Sequence, residues 1–157
     1  MSDDLAMPTA DQLAEQLAAF NAELNAQSMG PVLQIMQEAN LSMPRLVALM
    51  YLRRREAATI TELSEHLNLA LGTTSQAIDQ LVQVGLVQRR EDANDRRHKL
   101  VSITPAGAEI VARVRQSRVE EMARRFADLP PELAARLSAI LADVVEALKL
   151  ARAAPSS

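Results

Sequence analysis

The apolar positions of this chain recur mostly at helical spacing, and strand alternation is confined to one short central stretch. From Thr9 onward Leu13, Leu17, Phe20 and Leu24 fall at i, i+4, i+7 and i+11, one face of a helix. Asp11 near its start suits the helix dipole. Gly30-Pro31 interrupts the pattern, and Pro31 fits the first turn of a continuing helix that ends near Ala39. Asn40-Leu41-Ser42 reads as a turn. Ser42 is placed to cap a helix running to about Arg55, with Leu46, Val47, Leu49, Met50 and Leu52 largely buried.

Past Arg55 the pattern changes character. Ala58-Thr59-Ile60 is short and β-branched, a bridging strand of one or two residues. Thr61 is the expected cap of a helix that turns Leu63 and Leu67 inward beside Ile60. Residues 68–72 form a turn, and a second helix follows with Ala77, Ile78, Leu81 and Val82 as its apolar stripe. Gly85 suits the position just past its end. LVQRRE and KLVSI alternate as strands across the polar loop DANDRRH. Thr104-Pro105 then opens a long helix marked by Ile110, Val114, Met122 and Phe126. Pro130-Pro131 separates it from a last helix with the stripe Leu133, Leu137, Ile140, Val144 and Leu148.

The outer stripes are longer than the central unit can cover, and a stripe left over on one chain usually buries itself on a second copy. A homodimer is therefore expected, with the first and last helices as its seam. The organisation predicted is a flexible arm (1–8), an N-terminal dimerisation helix region (9–39), a central lobe (40–104), C-terminal dimerisation helices (105–150) and a flexible tail (151–157).

Composition narrows the chemistry. The 157 residues include no Cys, which excludes thiolate nucleophiles, disulfides and cysteine redox sensing. Only Phe20, Phe126 and Tyr51 are aromatic, so the core must come from Leu, Ala, Val, Ile and Met. His66 and His98 fall in different elements, so no metal site is expected. No catalytic set or phosphate-cradling glycine loop is present, and neither enzyme activity nor a cofactor is expected. Net charge is −3, yet between Leu86 and Lys99 five cations face three carboxylates. That segment is at +2, the remainder at −5, and acidic bodies with basic projections are compatible with DNA binding. No stretch approaches a membrane span, and Asp3 and Asp4 replace the basic head of a signal peptide. The cytoplasm is the expected location.

Helix, turn, helix and charged hairpin in that order present one helix to a major groove and one loop to the adjacent minor groove. Three stretches here resemble the MarR family of winged helix-turn-helix regulators. LSMPRLVALMYL is similar to the family's second helix. TELSEHLNLALGTTSQAIDQLVQVGLVQR is similar to its helix-turn-helix, and DANDRRHKLVSITPAG to its wing and exit, where Asp-x-x-Asp-Arg-Arg precedes a strand and a Thr-x-x-Gly helix start. The resemblance covers about Leu41 to Gly107. It implies a mainly α fold: a winged helix-turn-helix with a small β-hairpin wing plus N- and C-terminal dimerisation helices. It also implies a dimeric regulator of palindromic operators, often a repressor released by a small apolar or aromatic effector. Where the family often carries Ser then Lys or Arg before the recognition helix, this chain has Ala70 and Leu71; Gln76 also stands at a commonly basic position.

The DNA-binding candidates are accordingly Thr73, Thr74, Ser75, Gln76 and Gln80 on the helix, with Arg96, Arg97 and His98 in the wing. Hydroxyls reach phosphate or base edges, and Gln pairs with adenine. A guanidinium at the wing tip fits a narrow minor groove, though a bridge from Asp95 to one arginine would equally shape the loop. Met36, Met50 and Tyr51 are candidate effector contacts, with core filling the commoner role of Met. Arg53, Arg54 and Arg55 suit a helix C-terminus without any partner, and His66 is expected to be solvated. The rival reading is a helical dimer that binds protein, its winged helix no longer reading DNA.

Overall fold

The computed structural model describes residues 8–25, 29–91 and 99–153. In chain order these form α1 (Ala10–Asn25), α2 (Gly30–Glu38), α3 (Met43–Leu52), β1 (Ala58–Thr59), α4 (Ile60–Leu67), α5 (Leu71–Gln83), β2 (Val87–Glu91), β3 (Lys99–Ile103), α6 (Pro105–Phe126) and α7 (Pro131–Ala153). The fold is mainly helical with a small antiparallel sheet in the order β1-β3-β2. Val87 pairs with Ile103 and Glu91 with Lys99 across the hairpin, while Ala58 pairs with Val101. The chain divides into two compact units, one up to Val119 and one from Glu120 on.

In the first unit the core is aliphatic. Leu46, Leu49 and Leu52 of α3, Leu63 of α4, Ile78 and Leu81 of α5, and Val87 and Val101 of the sheet are all buried, joined by Val32, Ile35 and Met36 of α2. Burial of each such side chain is worth roughly 1.5–3 kcal/mol, so this cluster holds α4 and α5 in a fixed relation. The α5 stripe differs from expectation by one turn. Thr74, Ile78 and Leu81 lie at i, i+4 and i+7 and face inward, whereas Val82 is rotated out of that line and exposed.

The start of α4 also differs. Thr59, not Thr61, is the N-cap, because a capping box needs a Glu three residues on, and Glu62 answers Thr59 where Ser64 would answer Thr61. The Glu62 backbone N–H donates to Thr59 Oγ1 at 3.2 Å, and the Thr59 N–H donates to Glu62 Oε2 at 2.6 Å. Ile60, read as strand, is thereby the first helical residue. Ser42 does occupy the N-cap of α3, but its Oγ accepts from Arg45 Nε at 3.1 Å rather than from backbone.

Helix ends share one device. Asn40, Asn68 and Gly85 have φ of 49°, 51° and 73°. After α4 the Leu69 N–H returns to the Ser64 carbonyl and the Asn68 N–H to Glu65; after α5 Leu86 returns to Leu81 and Gly85 to Val82. These paired bonds are Schellman closures, which satisfy the last carbonyls and turn the chain sharply. They set the α4–α5 turn and the entry into β2.

Thr104 then locks α6 to that entry. Its hydroxyl donates to the Gly85 carbonyl at 2.7 Å and accepts from the Gly107 N–H at 3.2 Å. Gly107 packs so closely that a Cβ there would lie 2.1 Å from the Leu86 carbonyl oxygen. Farther along, Arg113 of α6 pairs with Glu38 at the end of α2 and, by that hydrogen bond above all, holds the Glu38 carboxyl below its ordinary range.

In the second unit Glu121 pairs with Arg124 and Arg125 along α6. The stripe of α7 lies largely open on the single chain, with Ile140 56% and Leu148 59% exposed. No helix among the described residues is long and apolar enough to cross a membrane.

Candidate nucleic-acid interface

α4 and α5 meet at the turn closed by Asn68, and α5 is the helix whose outer face remains free of core. Thr73, Gln76 and Gln80 are exposed on it at i, i+3 and i+7, opposite the buried stripe. These three present hydroxyl and amide groups to solvent from one side of the helix. Thr74 is a correction: it takes the first place of the apolar line instead, is 0% exposed, and cannot meet a base or phosphate from there. Ser75 lies between the two faces, half-buried, and its Oγ accepts from Arg89 Nη2 at 3.5 Å.

Arg89, which reading the sequence did not single out, is the cation that reaches α5. From β2 its Nη1 also reaches Asp79 Oδ1 at 2.8 Å. Asp79 is the only charged residue of α5, and an uncompensated carboxylate there would repel any polyanion. The ion pair cancels it locally and ties α5 to the first strand of the hairpin. One clue was available: Val87 and Arg89 share a strand face, and Val87 is the obvious core residue. That the same face passes Asp79 required the packed structure.

The base of the hairpin carries further charge. Arg90 Nη2 bonds Glu56 Oε1 at 3.3 Å, and a shallow cleft is lined by Arg89, Arg90, Glu91 and Lys99. The wing candidates Arg96, Arg97 and His98 lie outside the described residues.

The effector candidates separate. Met36 is buried within the α2 part of the core, Met50 is exposed, and Tyr51 is half-buried. The Tyr51 ring is already occupied, with the Arg55 guanidinium 3.9 Å from its centroid and the His66 ring at 4.2 Å. His66 is thus exposed but not merely solvated, and Arg55 has a partner of its own in a cation–π contact. The Arg55 contact is local, at i, i+4 from Tyr51, whereas the His66 contact arises because α3 and α4 pack side by side, which no local pattern reveals.

This arrangement matches known proteins at two levels. The sequence profile of the MarR family matches residues 41–99, the span from the start of α3 to the start of β3. YsmB of Bacillus subtilis (strain 168), an HTH-type transcriptional regulator, is 33% identical over 98 residues, covering 60% of this chain and 67% of YsmB. The chain belongs to the MarR family. The fold agrees over greater length. The transcriptional regulator Tm0710 of Thermotoga maritima superposes with a TM-score of 0.77 at 17% identity, over 92% of this chain and 99% of that one. MepR of S. aureus, in its crystal structure as a MepR–DNA complex, gives 0.56 at 19% identity, over 84% and 98%. The chain is thus a MarR-family transcriptional regulator, a DNA-binding protein of winged-helix fold.

Proposed function

We propose that this MarR-family regulator is a homodimeric repressor of a palindromic operator, with α5 in the major groove of each half-site and a wing arginine in the adjacent minor groove. The observation that carries the reading is the division of α5. One side is sealed into the core, and the other offers Thr73, Gln76 and Gln80 with the one carboxylate of α5 neutralised from β2. MepR, which shares the fold, has been captured on DNA, and that supports duplex DNA as the partner. With no cation on α5, phosphate attraction falls to the hairpin, which makes Arg96 and Arg97 the central contacts. A small apolar or aromatic effector that releases the operator would meet exposed Met50 on α3 sooner than Met36, which the core already uses, or Tyr51, whose ring is taken by Arg55 and His66.

Gel shifts of the full chain at low and moderate salt test this directly. Binding should fall steeply with salt. The double variant Arg96→Ala/Arg97→Ala should lose affinity by up to about 3 kcal/mol, the scale of one or two good base contacts, and keep its oligomeric state. Equal binding by the double variant removes the wing from the mechanism. No binding at low salt would instead favour a protein-interaction module.

A further inference from the structure

The first residue of α5 is a leucine, and it is 54% exposed. It does not serve the core, in contrast to Leu63 and Leu81, which are wholly buried. Around it the helix tip carries no charge: Ala70 is the N-cap and makes no side-chain bond, and a Cβ on Gly72 would meet nothing within 4 Å. Helical side chains lean toward the N-terminus, so Leu71 projects from the end of α5. A recognition helix reads base edges with its N-terminal residues. Thr73, Gln76 and Gln80 answer hydrogen-bonding groups, whereas Leu71 has only carbon to offer. It gains nothing against a phosphate. The one carbon feature on the major-groove edges of the bases is the C5-methyl of thymine.

We propose that Leu71 is a specificity-determining residue that packs on a thymine methyl in each half-site. The bare backbone at Gly72 leaves room beside it for the base edge. This rests on α5 being the major-groove helix, and it adds the chemical identity of one base that the groove must present.

The test begins with selection of bound sequences from a pool of random duplexes by the full chain. In a selected duplex each thymine is then replaced in turn, in both half-sites, by deoxyuridine, which removes the methyl and keeps every hydrogen-bonding group. At one symmetric position the change should weaken the wild type about fourfold per half-site, or about fifteenfold for both, the worth of one buried methyl-sized group. Leu71→Ala should bind the thymine and uracil duplexes equally and melt with the wild type. Leu71→Lys should also lose the discrimination and show steeper salt dependence. A wild type indifferent to every uracil, or a Leu71→Ala variant as sensitive as the wild type, overturns the contact while leaving DNA binding intact. A pool that yields no bound sequence overturns the DNA reading and this inference with it.

Discussion

The hydroxyl of Thr74 is sealed beneath α5 with no hydrogen-bond partner among the described residues, in line with Ile78 and Leu81. An unmatched buried hydroxyl costs about 1–3 kcal/mol, and valine has nearly the same shape. Thr74→Val should therefore raise the melting temperature by a few degrees, since about 1 kcal/mol shifts a domain of this size by roughly 2–4 °C. Its DNA affinity should not move. A lower melting temperature would mean that the hydroxyl is matched after all. Arg89 makes the complementary point: its two terminal guanidinium nitrogens serve Asp79 and Ser75 at once, so one side chain both neutralises the carboxylate of α5 and braces the helix.

Among the elements, α4 is the support on which α5 rests, and its start depends on a reciprocal pair. The Thr59 backbone N–H, then the Thr59 hydroxyl, bonds the Glu62 carboxylate and holds its pKa below the usual carboxylate range. A carboxyl whose folded pKa is depressed adds stability above its unfolded pKa and loses it as pH falls through the folded one. Glu62→Gln should thus be less stable than the wild type near neutral pH, by under about 1 kcal/mol for so exposed a group. The gap should close in acid as Glu62 protonates. Thermal melts across pH check this, and a gap that persists unchanged into acid would break the link to the carboxylate. The choice of Thr59 over Thr61 was legible in principle, because the Thr-x-x-Glu spacing is in the sequence. The β-branched run that contains Thr59 favoured a strand reading and hid the cap.

For the whole molecule the telling feature is apolar surface that one chain leaves open. Leu17 of α1 is 59% exposed, and Ile140, Val144 and Leu148 of α7 lie on one stripe at comparable exposure. Such surface is far more than scattered single residues, and a second copy is the occupant we propose. Ile140→Glu with Val144→Glu should shift the protein to monomers in sedimentation and weaken operator binding, since two linked half-sites gain affinity that neither has alone. A double variant that still sediments as a dimer removes α7 from the seam. Helix positions, the hairpin strands and the turns at Asn68 and Gly85 were legible because each rests on local period or backbone chemistry. The Arg89–Asp79 pair, the burial of Thr74 and the stack of Tyr51 on His66 were not, since each depends on which faces meet.

What the chain's own order of residues determined is a set of elements and their kind: helices from 3.6-residue periodicity, strands from alternation, ends from Thr, Asn, Gly and Pro. It also determined the absence of cysteine chemistry, because no folding can supply a missing thiol. Only the tertiary structure decided which polar residues of α5 look outward and which arginine stands over its single carboxylate. The reason is geometric. Periodicity gives a helix an apolar side but leaves the boundary of that side open by a turn or less. Packing against α3, α4 and the sheet settles the boundary, and with it the side chains of α5 left at the surface.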